Sequence, residues 1–118
     1  MKARAVTAVV AGAALLVSAV PAQAAPRKTV QIGDNYYAPK TLKVKPGTTV
    51  TWKWPGFEMA GDVHDVKLKS GPKHVKKFHS QPASSDYSFK RKLKVVGTYK
   101  IVCTLHEDMR MTIKVKTS

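Results

Sequence analysis

The sequence predicts an all-β fold, a Greek-key β-sandwich of about seven to eight strands. From Lys28 onward, apolar and polar residues alternate with a period of two, and no stretch keeps a helical period. The alternating segments are short, and glycine and proline residues separate them. Short strands divided by such turns are typical of sandwiches built from two packed sheets.

Three strands and a tight turn are predicted in the first half of this sandwich. Pro46-Gly47 is a turn signal between the second and third strands. The apolar positions of the three strands are, in order, Val30 and Ile32; Leu42 and Val44; and Val50, Trp52 and Trp54. Because side chains alternate across a strand, each set predicts one apolar face that packs in a common core.

The second half is predicted to add four strands. One covers residues 63–68 and carries His64 near its start, and the next covers residues 86–93. Another opens at Gly97 and the last one follows it directly. The residues that share the inward face of these last two strands are Tyr99, Ile101 and Cys103, and then Met111, Ile113 and Val115.

Two stretches do not fit the alternation. Residues 55–62 and 70–85 are rich in Gly, Pro, Ser and Lys, and they are predicted to be loops with room for a helical turn. The sequence contains no internal repeat and no linker. It therefore predicts a single domain over residues 25–118.

The first 24 residues predict a signal peptide that is cleaved after Ala24. Lys2 and Arg4 precede an apolar run at residues 5–20, and Pro21-Ala-Gln-Ala24 supplies a small-x-small cleavage pattern. The alternative is a membrane anchor, but the run is shorter than the roughly 20 residues of a spanning helix. The protein is therefore expected to be exported: periplasmic, at the cell surface or secreted.

The chain is strongly basic, with 21 Lys and Arg against 7 Asp and Glu and a formal charge of +14. Nucleic acid is a poor candidate partner, because the chain is expected to be exported and no helix carries a basic stripe. Anionic partners outside the membrane fit better: an acidic redox protein, lipid headgroups or cell-wall polymers. The alternative is that the lysines only cover the solvent faces of strands.

The candidate functional motif is Cys103-Thr-Leu-His106-Glu-Asp-Met109, which places a thiolate, an imidazole and a thioether at three-residue spacing. A second imidazole, His64, lies upstream on the predicted fourth strand. Two His, one Cys and a weakly bound Met are the donor set of blue-copper electron-transfer sites. An exported chain with one cysteine otherwise carries a vulnerable thiol, and metal ligation would protect it.

The C-terminal third resembles the cupredoxins, the small blue-copper proteins, and specifically their amicyanin- and plastocyanin-like branch. The matching text runs from Gly97-Thr-Tyr through Cys103-Thr-Leu-His106 to Met109-Arg-Met. Upstream, Lys45-Pro-Gly-Thr-Thr-Val-Thr-Trp52 and His64-Asp-Val66 resemble two further strands of the family. The resemblance implies a Greek-key β-sandwich, one bound copper ion and one-electron transfer between partner proteins.

Carried over by position, the resemblance implies that His64, Cys103, His106 and Met109 hold one type-1 copper ion. His106 would present its ring edge at the surface as the electron port. Met111 competes for the axial role, but its inward parity suits a core residue, and the short amicyanin-like spacing selects Met109.

Three features depart from the family pattern. Asp65 stands where better-known members have Asn; with Thr104 it could still tie the two ligand loops together, and its negative charge should favour Cu(II). Glu107-Asp108 replaces the Pro that often follows the ligand His, and places acidic groups beside the electron port.

His74 and His79 lie among lysines, whose charge opposes a second cation, so we expect them in a solvated loop.

These observations predict a monomeric electron carrier with one copper and no catalytic turnover, so not an enzyme, since related oxidases and reductases need a second copper centre. The alternatives are a copper-handling protein that delivers or buffers the ion outside the membrane and, less favoured, a metal-free adhesive β-sandwich. A fold alone does not decide among them.

Overall fold

A computed structural model describes residues 24–118, which form eight strands in two four-stranded sheets. The predicted signal peptide, residues 1–24, lies outside the described residues except for Ala24. The all-β expectation is confirmed. Within residues 24–118 the structure contains no helix with the length and apolar character of a membrane span.

The first sheet contains four strands, β1 (Arg27–Gly33), β2 (Tyr36–Ala38), β4 (Thr48–Lys53) and β6 (Ser88–Leu93). Their order across the sheet is β2-β1-β4-β6. β1 pairs in parallel with β4, and the other two pairings are antiparallel.

The second sheet contains β3 (Thr41–Val44), β5 (Lys67–Ser70), β7 (Gly97–Val102) and β8 (Arg110–Val115). Their order across the sheet is β3-β8-β7-β5. β3 runs parallel to β8, and both β5 and β8 run antiparallel to β7. A 3₁₀ turn at Phe57–Met59 lies in the long connection from β4 to β5, where room for a helical turn was predicted.

The core lies between the sheets and is filled by the inward residues that the alternation predicts. Val50 and Trp52 of β4 and Tyr99 and Ile101 of β7 are all buried and belong to one hydrophobic cluster. The inward-facing residues of β8 are also buried in this core; they are Met111, Ile113 and Val115. This packing fixes β7 and β8 against each other, and the loop between them begins and ends at rigid points.

The predicted strand at residues 63–68 is wrong in its extent. β5 begins only at Lys67, and His64 forms an isolated bridge with Ala83. The backbone N–H of Val66 donates to Ser80 Oγ instead of a strand carbonyl. The segment lacks a strand ladder because its backbone hydrogen bonds are divided between the backbone of residues 80 and 83 and the side chains of Tyr37 and Ser80.

Other differences are small. The three-residue strand β2, just before Pro39, was not predicted, because three residues are too few to show a period. The strand predicted from residue 86 begins at Ser88, after Asp86 adopts a positive φ of 51°. The remaining predicted strands are confirmed.

The strand registers define two ends of the sandwich. β1, β4 and β7 finish at one end, where β6 and β8 begin. The connections at this end carry all seven acidic residues: Asp34, Glu58, Asp62, Asp65, Asp86, Glu107 and Asp108. The chain's negative charge is therefore concentrated at one end of a basic molecule.

Candidate metal centre

Three candidate ligands from distant parts of the chain converge at the acidic end. The ligand atoms of His64, Cys103 and His106 all lie within 4.8 Å of one another. Cys103 Sγ lies 3.7 Å from His106 Nδ1, and the two imidazole ring centres are 4.7 Å apart. Within residues 24–118 this is the one cluster of His, Cys and carboxylate groups with such spacing.

Cys103 and His106 are positioned by a tight loop between β7 and β8. Cys103 continues the inward parity of Tyr99 and Ile101, so its side chain is buried at the end of the core. The backbone N–H of Cys103 donates to Met109 O at 3.0 Å, and that of Met109 donates to His106 O at 3.0 Å. These bonds close the loop on itself and turn its side chains toward one point.

His64 is positioned by contacts distant in sequence. Its backbone exchanges two hydrogen bonds with Ala83, at 2.9 and 3.0 Å. The indole N–H of Trp54 donates to Ala83 O at 2.8 Å and lies 3.3 Å from His64 O. Tyr37 Oη donates to the neighbouring carbonyl of Asp65 at 2.6 Å. The segment is thus held from three other elements.

The two ring nitrogens of His64 have different environments. Nε2 lies 2.8 Å from Asp34 Oδ1, whereas Nδ1 is buried without a hydrogen-bond partner among the described residues. This hydrogen bond from His64 is the largest cause that lowers the pKa of Asp34, so the carboxylate is ionised and accepts a hydrogen bond from Nε2–H. Nδ1 is then left with a free lone pair directed at the cluster, which is what a metal ligand requires.

His106 is the most exposed of the three groups, with a quarter of its side chain in contact with solvent. Its Nδ1 faces Cys103, and its Nε2 lies 3.7 Å from Asp62 Oδ2. Asp62 is in turn bonded through its backbone N–H to Asp34 Oδ1 at 3.0 Å. Two linked carboxylates therefore face the outer nitrogens of both imidazoles; the sequence offered no signal for them.

Asp65 joins the two halves of the cluster, as predicted. Its carboxylate accepts hydrogen bonds from the backbone N–H of Thr104 at 2.7 Å and from Thr104 Oγ1 at 2.5 Å. It also accepts one from His79 Nε2 at 2.8 Å. Burial raises the pKa of Asp65, but the bonds from Thr104 and His79 outweigh it and hold the pKa below its ordinary value.

The prediction that His74 and His79 belong to a solvated loop is confirmed, since both are exposed, but His79 has a further contact that was not predicted. His79 reaches inward to Asp65, because its segment forms a bridge with Lys67 at the start of β5. Neither residue belongs to the metal-ligand cluster found among residues 24–118. Sequence reasoning missed the role of His79 because the bridge joins residues far apart in the chain.

The two candidate axial methionines have different surroundings. Met111 Sδ accepts a hydrogen bond from Trp52 Nε1 at 3.4 Å inside the core. Met109 is fully buried and lies in the same loop as Cys103 and His106. The structure thus gives the sulfur of Met111 a structural partner, and Met109 as the fourth ligand stays a prediction.

A thiolate beside two imidazoles suits copper in both oxidation states, because the sulfur stabilises Cu(I) and the imidazoles bind either form. The buried nitrogen of His64, which has no other partner in the described part of the chain, fits such an ion.

Comparisons with known proteins agree with this donor set. A sequence model of the family described as copper-binding proteins of the plastocyanin/azurin family matches residues 24–118. The chain is 31% identical over 112 residues to amicyanin-alpha of Methylorubrum extorquens, which covers 95% of this chain and 88% of that protein.

Two solved structures extend the comparison. The crystal structure of amicyanin from Paracoccus versutus has a TM-score of 0.63 at 26% identity, covering 84% of this chain and 87% of that one. The copper-containing nitrite reductase of Thermus scotoductus has a TM-score of 0.64 at 23% identity and covers 84% of this chain. Only 24% of the reductase chain is covered, so this second likeness concerns the fold alone.

Proposed function

This chain belongs to the plastocyanin/azurin family of copper-binding proteins, and from that premise we propose that it is an exported type-1 copper protein that carries single electrons between redox partner proteins. The observation that carries the proposal is the convergence of Cys103 Sγ with the imidazoles of His64 and His106, together with the unpartnered Nδ1 of His64.

The proposed ligands are His64, Cys103, His106 and Met109. The bound copper would supply a one-electron couple, Cu(II)/Cu(I). Transfer of this electron would need no accompanying proton transfer. The residues around it hold the ligands still: Asp34 orients His64, and Asp65 clamps the loop that bears Cys103. Ligands fixed by packed strands and hydrogen bonds favour one geometry for both oxidation states, which keeps reorganisation on electron transfer small.

His106 is proposed as the electron port, because it is the proposed imidazole ligand that reaches solvent. Leu105, its neighbour in the loop, is half exposed and adds apolar surface beside the ring. A partner that excludes water here would bring its own redox group close to His106. The proposed partner carries an acidic docking surface, in keeping with the basic charge of this chain.

The leader-like pattern at residues 1–24 is the basis for proposing export. The excess of lysine and arginine in the chain is the basis for proposing contacts with anionic lipids or cell-wall polymers. We further propose a monomer without catalytic turnover. Only one cluster of candidate ligands is present in residues 24–118, and a copper reductase or oxidase would need a second centre.

A Cu(II) titration of the purified protein tests the function. We expect one equivalent to produce intense blue absorption and a narrow Cu(II) hyperfine splitting in electron paramagnetic resonance, both of which Cys103→Ser should abolish. Leu105→Ala, an exposed position in the same loop, is the matched control and should keep both signals. A colourless wild-type protein with a reactive thiol would refute the copper proposal.

The same preparation separates an electron carrier from a copper-delivery protein. A carrier should be reduced and reoxidised repeatedly while it retains its metal in the presence of a Cu(I) chelator. Rapid loss of Cu(I) to the chelator, at a rate that matches reduction, would favour delivery or buffering.

A further inference from the structure

A shallow cleft of about 240 Å³ lies beside the proposed thiolate ligand. Lys67 and Lys69 of β5 and Arg110 of β8 line it, together with Cys103, Thr104 and Glu107. The three cationic side chains are exposed. The cleft therefore brings positive charge next to the ligand loop from two strands that are not neighbours in sequence.

The cations of this cleft are not neutralised within the chain. In the part of the chain that the structure describes, every ion pair includes a histidine, and no lysine or arginine pairs with a carboxylate. Arg110 donates only to a backbone carbonyl, that of Glu107 at 2.9 Å. Three positive groups against the single carboxylate of Glu107 leave a net positive recess.

The imidazole side of the metal site has the opposite charge. Asp34 and Asp62 face the outer nitrogens of His64 and His106, and neither lines the cleft. The carboxylates of an acidic partner would be repelled by Asp34 and Asp62, so such a partner would cover His106 from the side of the cleft, which is lined by the residue directly after His106 in the loop. The same partner would be attracted to the cleft, because the cleft is cationic and lies beside Cys103.

We propose that the redox partner docks through a cluster of carboxylates in the cleft formed by Lys67, Lys69 and Arg110. The inference rests on the proposed function and locates its partner. In the encounter one electron passes between the partner and copper, and no covalent bond forms or breaks. A protein fits better than a lipid surface, because no large exposed apolar side chain lines the cleft to insert into a bilayer.

Charge reversal at two matched sites tests the location. The first variant is K67E/K69E/R110E. The control is K43E/K45E/K116E, which reverses three cations that line a separate cleft and changes the net charge equally. The probes are hexacyanoferrate(III), an anionic oxidant, and tris(phenanthroline)cobalt(III), a cationic one. The measurement is the stopped-flow rate at which each oxidant reoxidises the copper(I) protein.

We expect the cleft variant to slow oxidation by hexacyanoferrate by about tenfold and the control to slow it much less, since steering depends on the local field. Oxidation by the cobalt complex should speed up or stay unchanged. A decaglutamate peptide should inhibit the hexacyanoferrate reaction of the wild type but not that of the cleft variant.

Equal slowing by both triple variants would overturn the proposal, because total charge alone would then set the rate. Should the reversed variant lose its blue colour, K67Q/K69Q/R110Q repeats the test with neutral side chains. A wild-type protein that forms no blue site rejects the proposed function itself, whereas a blue protein with equal rates rejects only this docking site.

A second inference comes from the independent contact between His79 and Asp65. The side chain of Asp65 is 3% exposed and that of His79 is 49% exposed, so a half-exposed imidazole meets a buried carboxylate at 2.8 Å. The same carboxylate holds both the backbone and the hydroxyl of Thr104, the residue after Cys103. A contact on the lysine-rich loop is thus two hydrogen bonds away from the ligand loop.

The geometry points to His79 as a positioning residue that keeps the carboxylate of Asp65 aligned on Thr104 and thereby fixes the loop that carries Cys103. The lysine-rich loop 70–85 then has a role in the copper site without supplying a ligand. This inference also rests on the proposed ligands, but its first readout needs no metal.

The test compares His79→Ala with His74→Ala, an exposed histidine of the same loop. In the metal-free protein, we expect amide hydrogen exchange at Thr104 to rise by about tenfold in His79→Ala only, because the loss of a charge-assisted hydrogen bond loosens the clamp. His79→Gln, whose amide can still donate to Asp65, should restore much of the protection.

In the copper-loaded protein, His79→Ala should also move the Cu(II):Cu(I) ratio at a fixed electrode potential, whereas His74→Ala should not. A tenfold change in that ratio corresponds to about 59 mV for a one-electron couple. Identical exchange and identical potentials in the two alanine variants would refute the role of His79, whether or not the ligand assignment holds.

Discussion

The two halves of the metal site are built in different ways. The loop from Cys103 to Met109 is closed by its own backbone hydrogen bonds, between two strands that are adjacent in the sheet. His64 lies in a segment with one isolated bridge and depends on side chains from other elements. One half is therefore local in sequence, and the other exists only when the whole sandwich has folded.

This contrast explains which residues support the site. Trp54 and Tyr37 donate to backbone carbonyls of the His64 segment, and Ser80 Oγ accepts from the N–H of Val66. The ligand loop needs fewer such donors, because its own backbone closes it and the carboxylate of Asp65 ties it to the other half. Damage to the distant side chains should therefore weaken copper binding without altering the ligand motif.

The largest expected effect comes from Trp54→Phe, with Trp52→Phe as its matched control. Both indoles are buried, but that of Trp54 satisfies backbone carbonyls whereas that of Trp52 donates to a methionine sulfur. Because Trp54→Phe removes a buried hydrogen bond from carbonyls that keep only their backbone donors, it should lower the free energy of unfolding by about 0.5–1.5 kcal/mol more than the control.

Urea denaturation with a parallel copper titration measures both consequences. Copper affinity should fall in Trp54→Phe and stay near the wild-type value in Trp52→Phe. Equal losses of affinity and stability in the two variants would show that aromatic volume, and not the carbonyl contacts, holds His64.

The next effect concerns the two methionines. Met109→Leu should keep the blue colour but shift the reduction potential, since a weak axial ligand tunes the potential. Met111→Leu should leave the potential unchanged and cost about 1 kcal/mol of stability, because leucine keeps the volume but removes the sulfur that accepts from Trp52 Nε1.

Potentiometric titration of both variants decides the assignment. A Met111→Leu protein whose potential moved as much as that of Met109→Leu would make Met111 the axial ligand. The sulfur contact between Met111 and Trp52 would then have to break when copper binds.

The smallest effect is an alkaline loss of stability through Tyr37. Burial is the largest cause that raises the pKa of Tyr37, while the unfolded chain has an ordinary tyrosine pKa of about 10. The folded protein therefore holds this proton when the unfolded chain has lost it. The resulting stabilisation is complete below about pH 10 and declines as the pH rises above that value.

Urea midpoints are measured at about pH 8 and about pH 11 for the wild type and for Tyr37→Phe. The lysines titrate in both proteins, so the difference between their two declines isolates the contribution of Tyr37. The variant should lose about 0.5–1.5 kcal/mol at the lower pH with its hydrogen bond, and then fall less steeply at the higher pH. Parallel declines in the two proteins would contradict the assignment to Tyr37.

Much of the architecture was predictable from local pattern. The alternation of β4, β7 and β8 placed the inward residues correctly, since a period of two maps directly onto the two faces of a strand. The pattern failed at residues 63–66, where the backbone hydrogen bonds go to residues 80 and 83 and to the side chains of Tyr37 and Ser80 and form no strand ladder. The roles of Asp34, Asp62 and His79 had no sequence signal.

The sequence by itself determined the all-β class, the short ligand loop and the donor chemistry, because these depend on residue type and on spacing within a few positions. Only the tertiary structure decided how His64 is presented, which of its nitrogens is free, and which charges surround the site. Those features arise from contacts between residues 14 to 39 positions apart in the chain. Such contacts are set by the packing of two sheets, and no local pattern encodes them.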